Sequence, residues 1–513
     1  MEVQLNRAGG ILLHPTSLPS RYGIGDLGPE AYQFIDFLAA SHIKLWQVLP
    51  LNPIGFGDSP YQAFSAFAGS PLLISPDLLA EEGLLAAKQL RSVPAFPEER
   101  VDYALCAVYK EKLCREAYRN FQAGGNREQQ YLDFVESKAY WLPDFALFMA
   151  LKRHFHNVPW NYWEKDIALR KPEAVASWEE KLRDEIDYQL FLQYQFFRQW
   201  LSLREYANRK GISIIGDLPI YVAYDSSDTW VNPRFFELDE LGNPLKVGGV
   251  PPDYFSATGQ LWGNPIYRWP EMKQDDYLWW RERIAVLLEL VDVIRVDHFR
   301  GFEAYWEIPA QEKTAINGRW VKGPGEELFR VLTDYLGELP FIAEDLGVIT
   351  PEVLELKKKF GFPGMKVLQF VDRESFADRP VYRQGSGYAA VVSQAREQSA
   401  QAGNYIYYTG THDNDTLRGW YEKTILAQLS EARRKSYDQK KLEKTCWGFI
   451  DIVSQSPARW SIIPLQDFLC LDSAARMNTP NTVGGNWEWR YRKGALTPDL
   501  AQRIKTLMLK YGR

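Results

Sequence analysis

Eight short runs of strand-forming residues recur along the 513-residue chain, several of them separated by stretches with the period of amphipathic helices. They are GILLHP (Gly10–Pro15), IKLWQVLPL (Ile43–Leu51), GISIIGDLPIYV (Gly211–Val222) and VDVIRVDH (Val291–His298). The others are PFIAEDLG (Pro340–Gly347), GMKVLQFV (Gly364–Val371), NYIYYTGTHD (Asn404–Asp413) and SIIPLQDFL (Ser461–Leu469). Near-continuous apolar runs of this length suit strands buried on both faces, as in a parallel sheet. EAYQFIDFLAASH follows the first run, EELFRVLTDYLG precedes the fifth and EVLELKKKFG follows it, each patterned as a helix. Strand–helix alternation repeated eight times predicts an α/β fold, a (β/α)8 TIM barrel.

Two connections are too long for simple crossovers. Residues 52–210 are expected to form a mostly helical insertion, with the amphipathic pattern DYQLFLQYQFFRQWLSLREYANRKG. Residues 223–290 contain the Gly- and Pro-rich stretch GNPLKVGGVPPDYFSATGQLWGNP, whose aromatic residues favour a lid loop, followed by helices, over a linker. Little chain follows the eighth run. The expectation is one catalytic barrel over residues 1–513, with no separate C-terminal β-sandwich domain.

A formal net charge of -6 argues against a nucleic-acid or anionic-membrane partner, because both reward a basic face. No apolar run is long enough to span a bilayer, and MEVQLNRAGG lacks the basic-then-apolar signal pattern. Cys106, Cys114, Cys446 and Cys470 form no CxxC, which fits reduced thiols in the cytoplasm, or in a plastid stroma had a transit peptide been removed. A metal-dependent barrel hydrolase is disfavoured: the first run offers a single His14 before Pro15, with no His-x-His. No metal or other cofactor is expected. The 18 Trp, 28 Tyr and 27 Phe fit either an aromatic-rich core or an extended cleft for flat sugar faces.

The ends of the runs carry the chemistry. Arg295, Asp297 and His298 interrupt the fourth, where an unpaired charge would be costly. Asp217 ends the GD of the third, Glu344 and Asp345 end the fifth, and His412 and Asp413 end the seventh. In a barrel these ends converge on the C-terminal rim, where active sites of this fold sit. Singly, each acid has a structural reading: Asp217 and Asp345 as turn residues, Asp415 as a helix cap. As a set they raise one another's pKa and destabilise the fold unless the cluster is used. Carboxylates around one point suit glycoside chemistry, with one attacking the anomeric carbon and a protonated one donating to the leaving oxygen. Arg295 shares a strand face with Asp297 and could keep it ionised, while Glu344 needs a raised pKa to act as acid.

RVDHFRG, AEDLG and THDN, with GDLPIYV upstream, resemble the signature regions of the 4-α-glucanotransferases, the amylomaltase or disproportionating enzymes related to the α-amylase group. GILLHPTSLPSRYGIGDLG, GDSPYQAFSAFAGSPLLIS, RMNTP and GNWEWR extend the similarity over essentially the whole chain. The resemblance implies a retaining double displacement. Asp297 would be the nucleophile, Glu344 the general acid/base, and Asp413 the carboxylate that holds sugar hydroxyls and stabilises the transition state. Tyr61, Asp217, Arg295, His298 and His412 match sugar-binding positions, and Asn478 matches another substrate-contacting segment. Tyr254, Phe255 and Trp262 fall in the stretch matching a loop over the acceptor side. One departure is Asn481, which follows Pro480 where the pattern has a small residue such as Gly or Ala.

The implied substrates are α-1,4-glucans and maltooligosaccharides, handled by a monomer or small homo-oligomer. An amylase-like hydrolase on the same scaffold is the nearest alternative, because the carboxylates alone do not decide between water and sugar as acceptor. A non-catalytic glucan-binding protein would have little reason to keep Asp297, Glu344 and Asp413 together.

Overall fold

The computed structural model describes residues 7–124, 129–252, 256–370 and 404–513. Each of the eight runs overlaps a strand of one parallel sheet. In chain order these are Ala8–Leu12, Leu45–Gln47, Ser213–Leu218, Val293–Val296, Phe341–Ala343, Gly364–Val367, Tyr405–Tyr408 and Trp460–Pro464. Hydrogen-bonded neighbours run in the order sixth, seventh, eighth, first, second, third, fourth, fifth. The fifth and sixth strands then meet, where the Ala343 N–H donates to the Pro363 carbonyl at 2.8 Å, and the sheet rounds into the TIM barrel.

The strands stop earlier than the apolar runs do, for local reasons. The third ends at Leu218, because Pro219 has no N–H for the ladder. After the eighth strand, Leu465–Phe468 coils into a helical turn. The fourth ends at Val296, leaving Asp297 and His298 on the rim, and His298 turns the chain with φ +50.

Between the second and third strands the chain is mostly helical, including Tyr103–Ala123, Leu142–His154 and Arg183–Arg209. The last runs 27 residues, and its buried stripe includes Tyr188, Phe191, Phe196, Trp200 and Leu203. Trp200 locks it to the barrel by donating from Nε1 to the Leu290 carbonyl at 2.8 Å. Much of the aromatic surplus is therefore core: Trp46, Trp160, Trp200, Trp230 and Trp280 are fully buried.

The stretch expected to be a lid loop is more ordered than a loop. Lys246–Val250 and Gln260–Pro265 join Ala304–Pro309 and Arg319–Lys322 in a four-stranded antiparallel sheet over the barrel rim. KVGGV reads as a loop because of its glycines, but they serve close packing. A Cβ on Gly248 would meet the Tyr221 ring at 2.6 Å, and one on Gly249 the Gln260 carbonyl oxygen at 2.2 Å. Among the described residues no helix is long and apolar enough to cross a membrane.

Candidate active site

Register builds the first part of the site. Asp217 and Arg295 are direct partners on the adjacent third and fourth strands, so both side chains point to the same side of the sheet. Arg295 Nη1 donates to both carboxylate oxygens of Asp217, at 2.7 and 2.8 Å, and Nη2 lies 2.9 Å from Asp297 Oδ1. The Asp217 and Arg295 side chains are 0% and 4% exposed, whereas Asp297 is 29% exposed. Burial works against the Arg295 charge, but Asp217 and then Asp297 outweigh it and hold its pKa above the ordinary value. One guanidinium thus neutralises a buried carboxylate and aims an accessible one.

Glu344 stands on the next strand end. Its Oε2 accepts the His298 N–H and its Oε1 the Leu346 N–H, both at 2.9 Å. Burial first, and then the Asp297 charge, push its pKa up to about 8, against the pull of Arg295 and the two N–H groups. At neutral pH it therefore carries a proton, while the Arg295 guanidinium lies against the Asp297 carboxyl group. The left-handed backbone of His298 is what delivers its N–H to Glu344, a conformation costing roughly 1–3 kcal/mol in a non-glycine residue. Burial pushes the His298 imidazole down to about 4, so the ring is neutral, and its buried Nε2 has no protein partner. Trp262 meets it edge-on, with centroids 4.9 Å apart.

The remaining polar groups gather at the seventh strand end. The Tyr61 hydroxyl donates to Asp217 Oδ2 at 2.7 Å and lies 3.4 Å from His412 Nδ1. The Tyr61 and His412 rings stack at 5.1 Å, and Trp487 leans on both at 5.8 Å. His412 Nε2 is 3.4 Å from Asp413 Oδ1, which also accepts from Asn478 Nδ2 at 2.6 Å. Arg476 donates to the Asp413 carbonyl at 2.6 Å. Beside His412 a small cavity is lined in part by His14, Asp467, Arg476 and Met477.

Ten of the residues singled out in the sequence thus share one rim: Tyr61, Asp217, Trp262, Arg295, Asp297, His298, Glu344, His412, Asp413 and Asn478. Tyr254 and Phe255 lie outside the described residues. Two acids have other duties. Asp345 accepts the Met365 N–H at 2.7 Å and pairs with Lys357, closing the barrel. Asp415 accepts from Ser473 and Lys423, and the helix after it is capped by the Thr416 hydroxyl instead. Asn481 has φ +63, the region that Gly enters freely and Asn tolerates better than most residues, which accounts for its place in the loop. Sequence reasoning did not single out Trp487, or the Tyr408 hydroxyl that donates to Gln47 inside the barrel at 2.9 Å. Trp487 sits in GNWEWR, a segment with no strand or helix period to draw attention to one residue. Among the described residues no group of three or more His, Cys, Asp or Glu is placed to hold a metal.

Residues 13–497 match the family model for 4-alpha-glucanotransferase. The chain belongs to the 4-alpha-glucanotransferase family. Over 99% of its length it is 47% identical to the 4-alpha-glucanotransferase of Synechocystis sp., covering 98% of that protein. It is 45% identical to that of Thermus thermophilus, covering 98% of this chain and 99% of the relative. Among solved structures it superposes on an amylomaltase from Streptococcus agalactiae in complex with acarbose, with TM-score 0.89, 40% identity and 99% of each chain covered. Members of this family transfer α-1,4-glucan segments between sugars, and this chain is such an enzyme.

Proposed function

We propose that Asp297 is the nucleophile and Glu344 the acid/base of this transfer, and the observation that carries the assignment is their unequal placement: Asp297 is paired with Arg295, and Glu344 is buried beside it. Arg295 contacts Asp297 at 2.9 Å, while Glu344 is pushed up to about 8. Asp297 attacks the anomeric carbon of a donor glucan as the Glu344 proton passes to the departing 4-oxygen. The leaving glucan diffuses away from a covalent glycosyl–Asp297 ester. An acceptor 4-hydroxyl then gives its proton to Glu344 and attacks the same carbon, releasing Asp297. Two inversions at that carbon retain the α configuration.

The other residues position the sugar. Asp413, oriented by Asn478, accepts from ring hydroxyls, and His412 and the free Nε2 of His298 hydrogen-bond nearby hydroxyls. Tyr61 supplies a flat face and holds Asp217. Trp262 lines the acceptor side and disfavours water, and Tyr254 and Phe255 belong to the same segment of sequence. The chain works as one catalytic unit, with residues 52–210 and 223–290 as insertions in the barrel, as a monomer or small homo-oligomer in the cytoplasm.

The test is incubation of the purified protein with maltotriose and no added cofactor, following the product ladder and total reducing ends together. Glucose plus longer maltooligosaccharides at constant reducing ends is the expected result. Shorter products with rising reducing ends would make water the acceptor and overturn the transfer reading.

A further inference from the structure

The four cysteines divide into two unlike pairs. Cys106 and Cys114 sit on one helix, Tyr103–Ala123, eight residues and therefore about 12 Å apart along its axis, too far to bridge. Cys446 lies on the helix Gln439–Gln455 and Cys470 just past the turn Leu465–Phe468, and their Sγ atoms are 3.0 Å apart. Both are buried, and Cys470 has the left-handed backbone φ +51. A disulfide needs about 2.05 Å between sulfurs, so an approach of about 1 Å would close the bond.

We infer that Cys446 and Cys470 form a redox-convertible dithiol, a modification site whose oxidant is a small disulfide of the glutathione class. The Cys470 thiol lies below its ordinary pKa, first through its hydrogen bond with Cys446, with burial opposing and the Arg418 charge adding. Cys470 is accordingly the attacking thiolate. It displaces one thiolate from the small disulfide to give a mixed disulfide. Cys446 then loses its proton to that released thiolate and attacks Cys470 Sγ, expelling the second thiolate. Two electrons pass to the oxidant, which leaves as two thiols, the second taking up from solvent the proton that Cys470 had released on ionising.

The bond would reach the active site without entering it. Upstream of Cys470, Asp467 accepts from the Thr409 hydroxyl at 2.6 Å and the Leu417 N–H at 2.7 Å, gripping both ends of the loop that carries His412 and Asp413. Downstream, Arg476 and Asn478 hold Asp413. Oxidation ties this whole segment to the helix Gln439–Gln455 while moving it little, so stability rises and transfer persists.

The experiment equilibrates the full chain with oxidised glutathione, or with dithiothreitol, a few degrees below its Tm so that buried thiols exchange. Free thiols are then counted after denaturation. The expected result is a fall from four to two, a peptide joining Cys446 to Cys470, Tm higher by about 3 °C, and transfer within twofold of the reduced enzyme. Cys446→Ser should show no internal link and no Tm rise. Four surviving thiols, or a bridge involving Cys106 or Cys114, would overturn the inference.

Discussion

The two halves of the rim are built differently. At the third and fourth strand ends, Asp217, Arg295 and Tyr61 form a dry network in which the Asp217 carboxylate is entirely shielded. At the seventh, the Asp413 side chain is 48% exposed beside His412, held by Asn478 from a neighbouring loop whose Arg476 takes the Asp413 backbone carbonyl. The buried half is paid for during folding and fixes the reacting atoms before substrate arrives. The open half leaves groups whose solvent a sugar can replace. The difference teaches that preorganisation is concentrated where charge is handled, and adaptability where hydroxyls are recognised.

If that contrast holds, damage should fall off from the buried half to the open half. Asp297→Asn should lower kcat by roughly 10⁴-fold or more while oligosaccharide binding, measured by calorimetry, stays largely intact. Glu344→Gln should cost roughly 10²–10⁴-fold on maltooligosaccharides, and far less in the first step with a donor whose leaving group needs no proton.

The same residue gives a pH signature. Its folded pKa of about 8 lies above the ordinary 4.5, so transfer should decline as pH rises past about 8. The linked stability is fully present below 4.5 and is progressively lost as pH rises until the folded group ionises near 8. Melting curves across pH should therefore show Glu344→Gln gaining on the native protein toward alkaline pH. Parallel curves would contradict the raised pKa.

Arg295→Met leaves Asp217 buried without its partner, which should cost about 3–5 kcal/mol of stability in denaturant titration as well as activity. Asn478→Ala should disturb only the open half, raising KM several-fold with little change in Tm. Smallest in rate, Trp262→Ala should shift the ratio of hydrolysis to transfer, read as reducing ends per transfer event. A fall in Tm for Asn478→Ala as large as for Arg295→Met would erase the distinction between the halves.

How much of this was legible in the sequence follows from where each signal resides. The barrel strands were readable because burial on both faces leaves a continuous apolar run, and the polar tips were readable because they interrupt one. The Asp217–Arg295 pairing depends on strand register, which no single run encodes. The rim sheet was hidden by glycines at 248 and 249, whose role is set by Tyr221 and Gln260, one of them far away in sequence. Trp487 leans on Tyr61 across more than four hundred residues of chain, a contact without a local pattern. The left-handed turn at His298 was likewise invisible, although it supplies the N–H that Glu344 accepts.

A covalent glycosyl–Asp297 intermediate, made with Glu344 as acid/base, can be trapped. Glu344→Gln incubated with α-maltosyl fluoride should form the ester, since fluoride leaves without a proton, and resolve it slowly for want of a base. Mass spectrometry of the intact protein and its peptides should then find one maltosyl group on Asp297. A sugar on any other residue, or rapid turnover with none attached, would contradict the account.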